Sequence, residues 1–403
     1  MGKKNKKWLR FRHRVVRAIL GPAVHFYCRL KYGIRIQKFK GEEKAPYLIL
    51  FNHQTPFDQF FVGLAFRDPV YYMASEDIFS NGWVSSLIRY LVAPIPIKKQ
   101  TTDIKAILNC LRVAKEGGSI AIAPEGNRTY SGRTEYINPS IAPLARKLGM
   151  PILLYRIEGG YGSEPRWSDV IRRGPIRSYV SRVITPEEYA SLTDDALADI
   201  ICKGLYVDEA VTDHTYRHKK SAEYLERAIY VCPDCGLTTW ESRGDTVTCL
   251  SCHKQIRYLP TKEIAGVGSD FPFTFVAQWY DYQKDFINRL DVLQYTDAPL
   301  YTDTATLRRV IPYERKEIVA ENAAFSLFGD RILIQWADNS LLLPFDEVSA
   351  VTVLGRNKLN IYHDGNIYQA KGCKRFNALK YVHIYHRCLN IRKGAPHEQF
   401  LGL

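Results

Sequence analysis

Apolar residues recur along this chain with different periods, and each change of period marks a new region. Near the start, Trp8, Phe11, Val15 and Ile19 repeat at helical spacing with lysines and arginines opposite. Gly21-Pro22 predicts a break, after which Val24, Tyr27 and Leu30 continue an apolar face, so residues 1–33 are expected to form two short amphipathic helices. Residues 34–228 instead alternate continuous apolar runs with helical patterns. The runs "APYLILF", "VYYMAS", "LVAPIPI", "SIAIAPEG" and "PILLYRI" read as buried strands. "TTDIKAILNCLRVAKEGG" reads as a capped helix with Ile104, Ile107, Leu108 and Leu111 on one side. Thr55-Pro56 followed by Asp58 reads as a helix start, with a cap, a proline in the first position and an acid in the first turn. Strands alternating with helices predict an α/β layer fold whose sheet is mostly parallel.

Past residue 228 the pattern changes twice. Residues 229–258 hold two CxxC pairs, and residues 259–306 form a linker in which "FTFVAQWYDYQKDFINRLDV" reads as a helix. Residues 307–403 carry short strands and tight turns, Gly329-Asp330 and Asp364-Gly365 among them, closed by the helical stretch "RFNALKYVHIYHRCL". Successive hairpins and one final helix predict a small, mainly-β barrel or sandwich.

Charge sharpens the first region. The net charge is +14, yet residues 1–40 alone contain thirteen Lys or Arg and no acid. A basic amphipathic stretch with Trp and Phe on its apolar side suits the interface of an anionic bilayer; its plainer alternative is a helix packed on the protein's own core. No apolar run reaches the roughly 18–20 residues of a spanning helix, and no secretory signal is expected. The chain is therefore expected to lie on a membrane as a peripheral protein, at its cytoplasmic face.

The nine cysteines separate into a scattered set and a patterned one. Cys232, Cys235, Cys249 and Cys252 form "CPDCG" and "CLSCH", the spacing of a zinc ribbon in which four thiolates close a structural tetrahedral Zn2+ site. A redox dithiol is the other reading of such pairs. The intervening "LTTWESRGDTVT" is not basic, which argues against nucleic acid as a partner.

Candidate chemistry sits in "FNHQTPFDQF". His53 at a strand's end and Asp58 in the next helical turn are a possible base and its orienting acid, or two polar groups capping a helix. "APEGNRTYSG" follows a later strand; there Gly126 permits close backbone approach and Arg128 offers a planar fork for phosphate. Together these stretches carry a resemblance. Asn52, His53 and Asp58 match NHxxxxD, and Pro124, Glu125, Gly126 and Arg128 match most of PEGTRS, with Asn127 and Thr129 departing. Pro151 opens a buried strand. In this order they resemble the glycerolipid acyltransferases, the family of the lysophosphatidic acid acyltransferases, over residues 34–210. One block departs: "APIPIKKQTTD" has Lys98 and Lys99 where the family usually has arginine.

The resemblance implies direct acyl transfer from acyl-CoA or acyl-carrier protein to a hydroxyl of a phosphorylated glycerolipid. His53 would be general base and Asp58 its orienting acid. Arg128, with Lys98 or Lys99, would hold the acceptor's phosphate, and Glu125 would position Arg128 or a glycerol hydroxyl. Lysophosphatidic acid is the expected acceptor, with glycerol-3-phosphate or another lysophospholipid as alternatives. A lipid- or protein-binding adaptor without activity is the reading from another class. The whole chain also resembles bacterial lysophospholipid acyltransferase-like proteins that carry a ribbon and a tail after the enzyme, and the tail is similar to pleckstrin-homology-like or GRAM-like domains.

Overall fold

The computed structural model describes residues 7–41, 46–97, 103–211, 214–312 and 314–402. Lys98 and Lys99 lie outside the described residues. The chain packs as two compact units, one comprising residues up to 165 with 173–216, the other residues 166–172 with 217–403. The second unit begins after Tyr216 and also takes a short loop from within the first stretch.

The first unit is built on a seven-stranded sheet. Its strands are β1 (Arg35–Ile36), β2 (Leu48–Phe51), β3 (Val70–Ser75), β4 (Ile95–Ile97), β5 (Ser119–Ile122), β6 (Ile152–Glu158) and β7 (Arg177–Ile184), in the order β1-β7-β6-β2-β5-β3-β4. β6, β2, β5, β3 and β4 run parallel, and β7 turns antiparallel against β6. β2 is buried at all four positions, because helices cover both faces of a parallel sheet and leave no polar side to alternate. Leu48, Leu50, Ile120, Ile122, Ile152 and Leu154 form the centre of the core.

Helix α1 (Phe11–Tyr32) runs unbroken through Gly21-Pro22, against the expected break. A mid-helix proline costs about 3 kcal/mol, but here both flanking halves are tied to the same unit. His13 Nδ1 lies 3.0 Å from the Tyr71 hydroxyl, Arg17 donates to the Phe66 carbonyl at 2.9 Å, and Tyr32 donates to Glu164. A Cβ at Gly21 would fall 1.9 Å from the Arg17 guanidinium, which would have to move aside. The expected apolar stripe of α1 does not face the core. Phe11 is 80% exposed and Ile19 67% exposed, whereas His13, Gly21, Cys28 and Tyr32 are buried.

Helix α2 (Asp58–Ala65) starts at Asp58 rather than at Pro56. Beyond it lies α3 (Trp83–Leu91), which no periodicity announced; it buries only Ser85 and leaves Trp83, Leu87 and Tyr90 exposed. Its neighbour along the chain, "LVAPIPI", shrinks to the three residues of β4. Helix α4 (Ile104–Lys115) is capped by Asp103, which accepts from the Ala106 amide at 3.1 Å. Its buried residues are Ala106, Cys110 and Val113, while Ile104 and Leu108 point outward. Helices α5 (Ile141–Leu148), α6 (Gly160–Ser163), α7 (Pro186–Ala190) and α8 (Asp194–Leu205) complete the unit. Among the described residues no helix is long and apolar enough to cross a membrane.

The second unit opens with a two-stranded knuckle, β8 (Val231–Cys232) and β9 (Gly236–Leu237). A four-stranded antiparallel sheet follows: β10 (Trp240–Arg243), β11 (Thr246–Cys249), β12 (Gln255–Tyr258) and β13 (Ile264–Val267). Helix α9 (Val276–Arg289) buries Val276, Tyr280, Gln283 and Ile287, the positions its periodicity picks out. The tail is a seven-stranded antiparallel sheet of β14 (Tyr301–Ile311), β15 (Arg315–Leu327), β16 (Arg331–Trp336), β17 (Asn339–Pro344), β18 (Val348–Leu354), β19 (Lys358–His363) and β20 (Asn366–Gly372), ordered β17-β16-β15-β14-β20-β19-β18. The closing helix α10 (Leu379–Arg392) packs its apolar residues on this sheet: Tyr385, for instance, donates to the Val348 carbonyl at 2.8 Å. The tail is thus mainly β with one terminal helix.

Candidate active site

The parallel strands deliver the candidate residues at their carboxyl ends, where ligands collect in open α/β sheets. Asn52 follows β2, and its side-chain amide closes two hydrogen bonds with Ile157 of β6. The Ile157 amide donates to Oδ1 at 2.7 Å and Nδ2 donates to the carbonyl at 2.8 Å. That clamp fixes the end of β2 just before His53.

His53 Nδ1 lies 2.8 Å from Asp58 Oδ2. Asp58 is fully buried and accepts donors from Gln54 and Thr55 in the turn before it. The Gln54 amide donates to Oδ2 at 2.6 Å, the Thr55 amide donates to both oxygens at 3.0 Å, and Thr55 Oγ1 donates to Oδ1 at 2.6 Å. The five-residue step is therefore a geometric requirement. Asp58 opens α2 and reaches back over the turn to gather its amides, at the helix end where negative charge is favoured. A carboxylate only accepts, so Nδ1 is the ring nitrogen that carries a proton toward it. The His53 side chain is 25% exposed. Such an arrangement can hold a histidine ring in one tautomer, as a general base requires.

The turn Pro124–Thr129, after β5, brackets the His53 backbone from both sides. Glu125 Oε1 accepts the His53 amide at 2.7 Å, and the Thr129 amide donates to the His53 carbonyl at 3.1 Å. Glu125 Oε2 accepts the Glu135 amide at 2.7 Å. Both Glu125 oxygens thus accept backbone amides, one of them that of His53. Burial pushes its carboxyl well above the usual range, against the pull of the two amides. Gly126 has φ +68° with open space where a Cβ would stand, so the left-handed backbone is what demands glycine. Arg128 is half-buried in the same turn. Pro151 immediately precedes β6, and its carbonyl accepts the Leu48 amide at 3.0 Å, aligning β2 with β6.

Periodicity and motif reading missed the contributions of Gln54 and Thr129. Both act on the pair through backbone amides, which leave no side-chain signature. Phe57, also unremarked, packs against Tyr32 and Tyr27 of α1 with ring centroids 5.3 and 5.8 Å apart.

In the second unit, the thiols of Cys232, Cys235, Cys249 and Cys252 all lie within 4.8 Å of one another, and Cys232 Sγ stands 3.8 Å from Cys252 Sγ. Four bonds of about 2.3 Å to one tetrahedral zinc place sulfurs about 3.8 Å apart, so the donor set fits that ion. Gly236 makes the first knuckle with φ +73°. Hydrogen bonds from the Cys252 and Ser251 amides and from the Thr238 hydroxyl bring the Cys249 thiol down to about 7, although burial opposes them.

Residues 34–157 match the model of the family described as Acyltransferase. Over 186 residues the chain is 24% identical to the chloroplastic 1-acyl-sn-glycerol-3-phosphate acyltransferase BAT2 of Brassica napus, a match that covers 43% of this chain and 53% of that one. The chain thus spans about half the length of this curated relative. Among solved structures, it is similar to the 1-acyl-sn-glycerophosphate acyltransferase PlsC of Thermotoga maritima. That similarity has 20% identity and a TM-score of 0.39, over 49% of this chain and 80% of PlsC. The stretch 34–157, which holds the histidine–aspartate pair and the turn that brackets it, is the part of the chain that matches the acyltransferase family model.

Proposed function

We propose that this chain is a peripheral membrane O-acyltransferase that moves an acyl group from a thioester donor to a hydroxyl of a phosphorylated glycerolipid. Lysophosphatidic acid is the acceptor, phosphatidic acid the product, and acyl-CoA or acyl-carrier protein the donor. The observation that carries this reading is the His53–Asp58 pair, with Nδ1 2.8 Å from a fully buried carboxylate.

His53 Nε2 takes the proton of the acceptor hydroxyl as its oxygen attacks the thioester carbonyl. A carbon–oxygen bond forms, giving a tetrahedral intermediate. Its collapse breaks the carbon–sulfur bond, and the departing thiolate takes the proton back from His53. Asp58 holds the ring in register and stabilises the imidazolium between the two transfers. Glu125 and Thr129 keep the His53 backbone still, which matters because a misplacement of about 1 Å can cost a hundredfold in rate. Arg128 binds the acceptor phosphate with its planar fork, with Lys98 or Lys99 adding charge as point cations. The four cysteines would hold a structural Zn2+, a role in folding rather than in acyl transfer.

Purified protein, offered labelled acyl-CoA with a panel of lysophosphatidic acid, glycerol-3-phosphate and neutral lysophospholipids, should acylate lysophosphatidic acid fastest. His53→Ala should retain about 10⁻³ of that rate, since a general base contributes 10²–10⁴. Equal turnover by the variant, or none by the native protein with any acceptor, overturns the reading.

Membrane attachment is supported by the outward apolar residues of α1 and α3. Phe11, Ile19, Trp83 and Tyr90 are each more than half exposed, and the Arg12 guanidinium lies 4.0 Å from the Tyr90 ring, so the two helices are neighbours. Removing residues 1–33 would also strip Tyr27 and Tyr32 from Phe57, so point substitutions are the cleaner test. Ile19→Glu with Trp83→Glu should lower partitioning onto anionic vesicles about a hundredfold, each lost insertion being worth roughly 1.5–3 kcal/mol. Unchanged co-sedimentation excludes this face.

A further inference from the structure

We infer that Tyr32 of α1 and Glu164 are positioning residues for the His53–Asp58 pair, an inference that rests on the acyltransferase reading of His53. Both belong to the first unit, and neither lies in the motifs that name the site. The turn they serve, residues 54–58, is supported from two sides. On one side stands the end of α1. The buried Tyr32 ring lies 5.3 Å from that of Phe57, the residue before Asp58, and meets the Phe61 ring edge-on at 5.5 Å. Phe57 takes part in the hydrogen bonding of the turn itself. Its amide donates to Thr55 Oγ1 at 3.1 Å, and that hydroxyl donates to Asp58 Oδ1. A shift of the Phe57 ring therefore carries the Asp58 carboxylate with it.

On the other side stands α6, which follows β6. The Tyr161 amide donates to Gln54 Oε1 at 3.2 Å. Gly160 packs so closely that a Cβ would fall 2.6 Å from that oxygen and 2.9 Å from the Thr55 side chain. Gln54 and Thr55 supply the amides that hold the Asp58 carboxylate. Glu164 closes the far end of α6, its amide donating to the Gly160 carbonyl at 2.8 Å, so its backbone is fixed relative to Gly160. The Tyr32 hydroxyl donates to Glu164 Oε2, and this buried bond joins the two sides. Burial and the adjacent carboxylate push that hydroxyl above its ordinary range, so it stays a donor. The contacts form a closed belt, from Tyr32 to Phe57, through Thr55 and Gln54 to Gly160 and Tyr161, and through Glu164 back to Tyr32. Glu125 and Thr129 hold the His53 backbone, whereas the belt holds the Asp58 half of the pair. Tyr32 and Glu164 act through Phe57, Gln54 and Thr55; neither acts on substrate.

The test uses the full chain with Tyr32→Phe, which deletes only the hydroxyl, and Glu164→Leu, which deletes its acceptor. Tyr32→Phe keeps both ring contacts, so it remains informative if Glu164→Leu folds poorly. Glu164→Gln keeps an accepting oxygen and serves as the conservative rescue. Leu197→Ala, fully buried in the core of the same unit, is the control for general destabilisation. Tyr32→Phe and Glu164→Leu should speed amide exchange across residues 54–58 about tenfold or more. They should also broaden or shift the NMR titration of the His53 ring. Both should lower kcat about tenfold with KM changed by less than about threefold, the pattern of a misplaced base with substrate contacts intact. Glu164→Gln should match the native protein in all three readouts. The exchange and titration readouts need no turnover, so they judge this inference even if the acyltransferase reading fails. Native exchange and titration in both Tyr32→Phe and Glu164→Leu overturns it, as does an equal effect in Leu197→Ala at matched stability.

Discussion

Asp58→Asn lowers kcat about 10³–10⁴-fold, and it does so by a route different from that of His53→Ala. The carboxylate accepts from His53 Nδ1, from the Gln54 and Thr55 amides and from Thr55 Oγ1. Asparagine keeps one accepting oxygen and turns an NH2 toward donors that cannot answer it. The ring can escape by moving its proton to Nε2, so that Nδ1 accepts from the new amide. That tautomer has no basic nitrogen left for the acceptor hydroxyl, which is why the analogous change in serine hydrolases costs about 10⁴. The Gln54 amide has no such escape. A buried donor left unmatched costs about 1–3 kcal/mol, so Asp58→Asn is also less stable in denaturant, whereas His53→Ala, at a quarter-exposed side chain, is nearly as stable as the native protein. The double variant is no slower than either single one, because the pair acts as a unit. Full activity in Asp58→Asn would show that orientation of His53 does not depend on this carboxylate. Lost activity with unchanged stability would mean that the Gln54 amide finds another acceptor.

How much of this could be read from the residues follows from which groups do the work. The strands β2, β5 and β6 were legible because a parallel strand buried on both faces is an uninterrupted apolar run, as "LILF" and "SIAI" are. Helix α9 was legible because it buries one face against its own unit. Helix α3 was not, because Trp83, Leu87 and Tyr90 turn away from the core that periodicity is assumed to point to. Ile104 and Leu108 of α4 likewise turn outward. Strand β14 and the first half of β15 escaped for the opposite reason: "YTDTATLRRVI" and "RKEIVAEN" are largely solvent-facing and read as polar loop. At the site, His53, Asp58 and Glu125 are named by their motifs, yet one of the two amides that Glu125 accepts belongs to Glu135, ten residues on. The loan of residues 166–172 to the second unit has no local signal; Trp167 is an apolar residue in a loop until Arg227 and Tyr258 are brought to it.

Removing metal from the cysteine cluster should unfold part of the second unit and spare the rest. The cluster is not an appendage. Trp279 Nε1 donates to the carbonyl of Val231, next to Cys232, at 2.9 Å, and Trp240 packs edge-on against Trp279 at 4.7 Å. Gln283, fully buried, donates to the Ala228 carbonyl and accepts the Tyr230 amide. One face of α9 therefore depends on the knuckle that Cys232 and Cys235 close. Structural zinc sites bind with apparent free energies of about 10–16 kcal/mol, comparable to the whole stability of a domain of about 5–15 kcal/mol. Without the ion, four thiols are crowded within 4.8 Å with nothing to hold them, so β8, β9 and α9 lose their anchor. The tail sheet keeps its own core, with Leu359, Ile361, Phe325 and Ile334 fully buried beneath α10. Native protein should carry one zinc per chain by elemental analysis, and Cys249→Ser or a strong chelator should abolish it. Tryptophan emission should then shift to the red, because Trp240 and Trp279 are buried beside the cluster. Amide exchange should rise across residues 228–258 and 276–289 while residues 301–372 stay protected. A redox dithiol makes the contrary forecast: no stoichiometric metal, reversible formation of disulfides with a mild oxidant, and unchanged emission throughout. Either half of that outcome, a metal-free native protein or an unshifted emission after chelation, removes zinc from this site.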